Sequence, residues 1–101
     1  MSTTHQPSDR EAADVAAATD YLADRSIAAS MREFRLRQEF FRYGWDIRVR
    51  EEDGGWTVHG LKPDRPEVLI HASTEGNALR IALMNVLQSD EAATSALPPT
   101  S

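Results

Sequence analysis

The sequence predicts an α+β fold: a three-stranded antiparallel meander with helices packed on one face (αβββα), plus an extra N-terminal helix. Three observations carry this. Residues 45–72 contain three short segments in which apolar and polar residues alternate, the pattern of half-buried strands. The flanking segments repeat their apolar residues at helical spacing. The strand connections are short, which favours pairing of neighbours in chain order. With 101 residues the chain has length for one core of modest size.

Residues 1–8 are polar and are expected to be disordered. Ser8 and Glu11 have the spacing of a capping box. An Ala-rich helix should follow, over about residues 9–24. Val15 and Leu22 are its large aliphatic residues, so it has high propensity and little to dock with. Ser26 or Ser30 should cap a second helix over about 27–43, with Glu33 completing a box from Ser30. Gly44 should end it, because glycine accepts the left-handed conformation found beyond helix C-termini. This helix carries two stripes. Ile27, Met31, Phe34 and Phe41 lie on one; Leu36, Phe40 and Tyr43 lie nearly opposite. A surface helix needs one apolar stripe, so the segment should be sandwiched. One side should face the sheet, the other the first helix or a second subunit.

Strands are expected over about 45–50, 56–61 and 67–72. Trp45, Ile47, Val49, Trp56, Val58, Val68 and Ile70 should point inward. Glu51-Glu52-Asp53-Gly54-Gly55 is a turn with glycines for positive φ, and Lys62-Pro63-Asp64-Arg65-Pro66 is a loop rich in breakers. Ser73 or Thr74 should cap a last helix over about 74–88, with Leu79, Ala82, Leu83 and Val86 as its apolar face. Residues 89–101, rich in Ala, Ser, Thr and Pro, read as a flexible tail. Residues 9–88 thus form one domain. Both main helices should cover the inward face of the sheet and leave the other face open.

There is no cysteine, so disulfides and thiolate metal sites are excluded. The N-terminus lacks the basic and apolar regions of a secretory signal, and no stretch is long and apolar enough for a membrane span. A cytoplasmic location with no membrane partner is the default expectation. Ten of the eleven basic residues are Arg and Ala is abundant, a hint of a GC-rich bacterial genome. The net charge of −5 is uneven: residues 1–30 carry −3, residues 31–50 carry +3 and residues 51–101 carry −5. The whole chain should repel nucleic acid at long range, while the middle segment can attract it locally.

No nucleophile motif or phosphate-cradling loop is present. The chain is therefore expected to be no enzyme and to need no cofactor or metal. Asp46, His59 and His71 share the open sheet face, but their spacing matches no local metal-ligand pattern. Two surfaces remain. Leu36, Phe40 and Tyr43 are candidates for binding a protein or for self-association, since exposed apolar patches mark such sites. On that reading Phe40→Glu should abolish association and spare the fold. Arg48, Arg50, His59 and His71, beside Thr57 and Leu69, are candidates for contacting a phosphate backbone. Arg32, Arg35 and Arg42 extend the basic cluster on the helix, where Glu39 is placed to pair with them.

The helix, three strands and helix of about residues 27–88 resemble the double-stranded-RNA-binding domain in topology. That family reads phosphates with lysines at the start of its last helix and with a loop between its first strands. Here those positions hold Thr74-Glu75-Gly76-Asn77, followed by Arg80, and Glu51-Glu52-Asp53. The segment Arg50-Glu51-Glu52-Asp53-Gly54-Gly55-Trp56-Thr57-Val58, the proline loop, and Ser73-Thr74-Glu75 leading into Ala78-Leu79 are similar to HicB-type antitoxins. This second likeness spans about residues 45–88 and implies a partner-binding role without catalysis. The sequence thus reads as a small non-catalytic interaction module with an unknown protein partner or itself. The alternative is a nucleic-acid-binding domain working through its open sheet face, which the net charge disfavours.

Overall fold

The computed structural model describes residues 9–95. Six elements follow in chain order: α1 (Asp9–Ala23), α2 (Glu33–Arg42), β1 (Asp46–Glu52), β2 (Gly55–Leu61), β3 (Val68–Ala72) and α3 (Glu75–Ser95). The strands form one antiparallel sheet in the order β1-β2-β3, as their alternation predicts. The expected disordered segment 1–8, with Ser8 of the capping box, and residues 96–101 of the expected tail lie outside the described residues.

α1 forms from alanine propensity, with Asp9 and Glu11 in the first turn, where carboxylates suit the helix dipole. Its end is specific. The Ser26 N–H donates to the Ala23 carbonyl at 3.0 Å and the Ile27 N–H donates to the Leu22 carbonyl at 2.9 Å. Ser26 itself sits at φ 65°. These are the two bonds of a Schellman motif, which draws the flanking apolar residues together. Leu22 and Ile27, the two it joins, are both buried.

That motif corrects the expected start of the second helix. Ile27 belongs to the end of α1, and α2 begins only at Glu33. The intervening carbonyls are met from α3: the Arg80 guanidinium donates to Ala29 at 2.9 Å and to Met31 at 2.8 Å. Neither Ser26 nor Ser30 is the cap. The N-cap is Arg32, in extended conformation and with no side-chain capping bond. α2 ends where glycine predicts. Gly44 lies at φ 83°, with its N–H on the Phe41 carbonyl at 3.0 Å and the Trp45 N–H on the Phe40 carbonyl at 2.9 Å. This second Schellman motif joins Phe40 to Trp45, and both are buried.

Asp53 (φ 53°) and Gly54 (φ 73°) form a two-residue type I′ turn, whose twist matches that of the strands it joins. The β1–β2 pairing therefore runs unbroken from Asp46↔Leu61 to Glu52↔Gly55, past the strand ends the sequence predicts. Directly paired residues share a face. Ile47, Val49, Trp56, Val58, Val68 and Ile70 face the helices. Arg48, His59 and Leu69 form one row of the open face; Arg50, Thr57 and His71 form the next.

The Thr74 hydroxyl caps α3 by accepting from the Asn77 N–H at 3.2 Å. α3 is the centre of the molecule, packed on β2, β3, α1 and α2. Hence it buries a broad arc: Ala78, Leu79, Ile81, Ala82, Leu83, Val86 and Leu87. It also continues to Ser95 rather than ending near 88. Asp90 and Glu91 explain the extension, since both are held by side chains from outside α3. α1, poor in large apolar residues, is docked at both ends. Glu11 accepts from the Ser73 N–H at 3.1 Å, the Ser73 hydroxyl at 2.6 Å and Asn77 at 2.9 Å, while Arg25 bonds Glu91 at 2.8 Å. No described helix is long and apolar enough to cross a membrane.

Candidate functional site

The candidate protein-binding stripe is corrected by the packing. Leu36 and Phe40 are both 0% exposed, and Tyr43 is half-buried against the same core. The physical reason is the late start of α2. Once Ile27 and Met31 lie outside the helix, the stripe they share with Phe34 and Phe41 loses half its apolar residues. The other stripe, tied to Trp45 through the Gly44 cap, becomes the buried one. Phe40→Glu would therefore place a carboxylate in the core and unfold the protein, not spare it.

The opposite face of α2 is the exposed one. Phe34 is 69% exposed and Phe41 is 59% exposed. Seven residues apart, they stand two helical turns from each other on one side. Gln38 lies between them. The surrounding charge is basic. Arg37 is engaged with Glu75 of α3, its Nε at 2.9 Å from the carboxylate. Arg42 lies 3.6 Å from Glu39 and remains largely in solvent. The side chains of Arg32 and Arg35 have no ion-pair or hydrogen-bond partner among the described residues.

The open sheet face holds Arg48, Arg50, His59 and His71, as the alternation predicts. Arg48, Arg50, Glu52, Thr57, His59 and Leu69 line a shallow depression of about 170 Å³. Leu69, 64% exposed, forms its apolar side. The Arg48 and Arg50 guanidinium groups have no ion-pair or hydrogen-bond partner among the described residues. The histidines are engaged: His59 Nε2 is 3.1 Å from Glu67, and His71 Nδ1 is 2.9 Å from the Thr57 hydroxyl. His71 lines a second cavity instead, of about 370 Å³, with Arg10, Glu11 and Asp14 of α1. Asp46 pairs opposite Leu61, two positions from the His59 row, and no cluster of three metal-ligating residues occurs among the described residues.

Sequence reasoning missed Asp90. Its carboxylate accepts from Trp45 Nε1 at 3.1 Å, Lys62 Nζ at 3.1 Å and Arg65 Nε at 3.0 Å. Lys62 also donates to the Tyr43 carbonyl at 2.9 Å. Burial opposes ionisation of Asp90, but the three donors outweigh it and hold the carboxyl below its ordinary range. Glu11 shows the same balance, burial against donors from Ser73 and Asn77, with the same downward result. No spacing in the sequence marks Asp90, and the capping-box spacing that marks Glu11 points to Ser8 and not to Ser73 and Asn77, because the partners of both residues come from distant segments. Both act as ties between elements.

Comparison with protein-family models, with curated proteins and with solved structures finds no match to this chain.

Proposed function

We propose that this protein is a non-catalytic interaction module that binds a protein partner through the solvent face of α2. The observation that carries this reading is the pair Phe34 and Phe41, exposed together while Leu36 and Phe40 of the opposite stripe are fully buried. Aromatic residues that project from a rigid helix make effective anchors, because they bury a large area at low conformational cost. The unpaired Arg32 and Arg35 and the exposed Arg42 add a basic rim. The partner that fits is an apolar groove with acidic borders.

A photocrosslinking residue at Gln38, between the two phenylalanines, tests this in the cells that make the protein. One dominant protein adduct is expected. Phe34→Ser with Phe41→Ser should remove it and should also abolish binding of the purified partner. An adduct that survives the double substitution, or no discrete adduct, refutes the assignment.

The second reading, nucleic-acid binding by the open sheet face, rests on the unpaired Arg48 and Arg50 in the depression. Glu52 and Glu67 on or beside that face weaken its field, which favours the first reading. Titration with short RNA and DNA strands separates the two. Binding through these arginines should fall steeply with salt, as displaced counterions require. Absence of binding at low salt removes this alternative.

A further inference from the structure

We infer that β1 is a self-pairing edge, through which two copies of this chain join their sheets about a two-fold axis at Arg48. The surface is distinct from the α2 face, so this inference does not depend on the partner proposed above.

β1 and β3 are the two edges of the sheet. An edge strand is a template for another strand unless it is short, kinked, proline-bearing, covered or charged, and the five charged residues of β1 repel a second strand only in registers that set like signs across from each other. β3 has five residues, follows Pro66 closely, and has Arg10, Glu11 and Asp14 of α1 beside it. β1 has seven residues, no proline, and a pairing with β2 that no bulge interrupts. The backbone groups on its outer side can be assigned. Glu52 and Gly55 close the type I′ turn, so they form a hydrogen-bonded pair, and such pairs alternate along an antiparallel ladder. Arg50, Arg48 and Asp46 then direct their N–H and C=O groups to β2. Ile47, Val49 and Glu51 direct theirs outward.

Side-chain chemistry chooses the register. A two-fold axis requires antiparallel pairing centred on one residue. Centring on Val49 sets Arg48 against Arg50 and Asp46 against Glu52, like charges in both cases, and Ile47 against the Glu51 carboxylate. Centring on Arg50 sets Arg48 against Glu52, opposite charges, but also sets Val49 against Glu51 twice, an apolar residue against a carboxylate at the positions that carry the outward backbone groups. Centring on Ile47 overlaps only three strand residues. Centring on Arg48 sets Asp46 against Arg50 twice, opposite charges directly across the strands. It also sets Ile47 against Val49 twice. These two are half-buried on the helix side and carry the outward backbone groups, so they exchange the new hydrogen bonds. The one like-charged pair, Arg48 with Arg48 of the second copy, is flanked by both Asp46 carboxylates. The result is a continuous six-stranded sheet.

The absence of native cysteine provides a clean probe. Opposed residues at a non-hydrogen-bonded position have Cα atoms about 4.5 Å apart, within reach of a disulfide. Arg48→Cys is expected to give a disulfide-linked dimer under mild oxidation, and Arg50→Cys none. Sedimentation equilibrium supplies the second measurement, with circular dichroism confirming the fold. Asp46→Arg or Arg50→Asp alone should weaken dimerisation roughly tenfold, and the two together should restore it, whereas Glu52→Gln should leave it unchanged. A wild type that stays monomeric at every concentration, a double swap that does not restore pairing, or equal crosslinking at positions 48 and 50 overturns the proposal.

Discussion

Replacing Phe40 with alanine is expected to lower the unfolding free energy by about 3–5 kcal/mol, whereas Phe41→Ala should change it by about 0.5 kcal/mol or less. The two residues are adjacent in sequence and identical in type. Phe40 is 0% exposed and lies among Leu36, Trp45 and the apolar arc of α3, where its removal leaves a cavity. Phe41 is 59% exposed and loses little on truncation. A domain of this size has only about 5–15 kcal/mol of net stability, so Phe40→Ala removes much of the margin. Urea denaturation of both variants measures the difference directly. Equal losses would mean that α2 packs through both faces, and the exposed stripe would no longer be a docking surface.

Asp90→Ala is expected to cost about 2–3 kcal/mol, because it leaves two cations together and strands the indole N–H of Trp45. The Asp90 carboxylate ties three places that are distant in sequence: the end of α2 at Trp45, the loop after β2 through Lys62 and Arg65, and α3 itself. The effect should depend on pH in one direction. The folded-state pKa is lowered, so the stabilisation is complete above the unfolded carboxylate value of about 4 and is lost as pH falls through the folded value. Wild type and Asp90→Ala should therefore differ most near neutrality and converge in acid. Thermal unfolding of both from pH 7 to pH 2 checks this. A gap that stays constant across that range would show that the carboxylate contributes by packing, not by charge. Glu11 loses its stabilisation in the same acid window, since its pKa is lowered too.

The buried and exposed faces of α2 show where sequence reasoning stops. Both stripes are apolar, and periodicity alone gives each the same claim on the core. The deciding facts are non-local. The Leu22–Ile27 clasp takes Ile27 out of the helix, and Arg80 holds the following loop. The Gly44 cap then turns Phe40 onto Trp45. Ser26 hid the first of these events, because the left-handed position it fills is one that glycine usually marks. The extension of α3 was hidden for a related reason: residues 89–95 have weak apolar content and are held by ion pairs and hydrogen bonds from elsewhere.

The open sheet face was more legible. Alternation of period two assigns each strand residue a side, and a continuous register preserves that assignment. Arg48, Arg50, His59 and His71 accordingly stand where the pattern puts them. The pattern does not say which of them share a cavity, and His71 turns out to line a different one from the arginines.

By itself the sequence determined the α+β class, the order of elements, a turn within residues 51–55, the glycine stop at Gly44 and the sidedness of the sheet. All of these follow from local backbone preference or from a repeat within a few residues. That the turn is two residues long, at Asp53-Gly54, is set by the pairing. Only the tertiary structure decided which stripe of α2 is core, how α1 docks, how far α3 runs and what Asp90, Glu11 and Arg80 do. Each of those depends on side chains that meet from distant parts of the chain, and burial of the α3 arc selects among arrangements that local preference leaves equal.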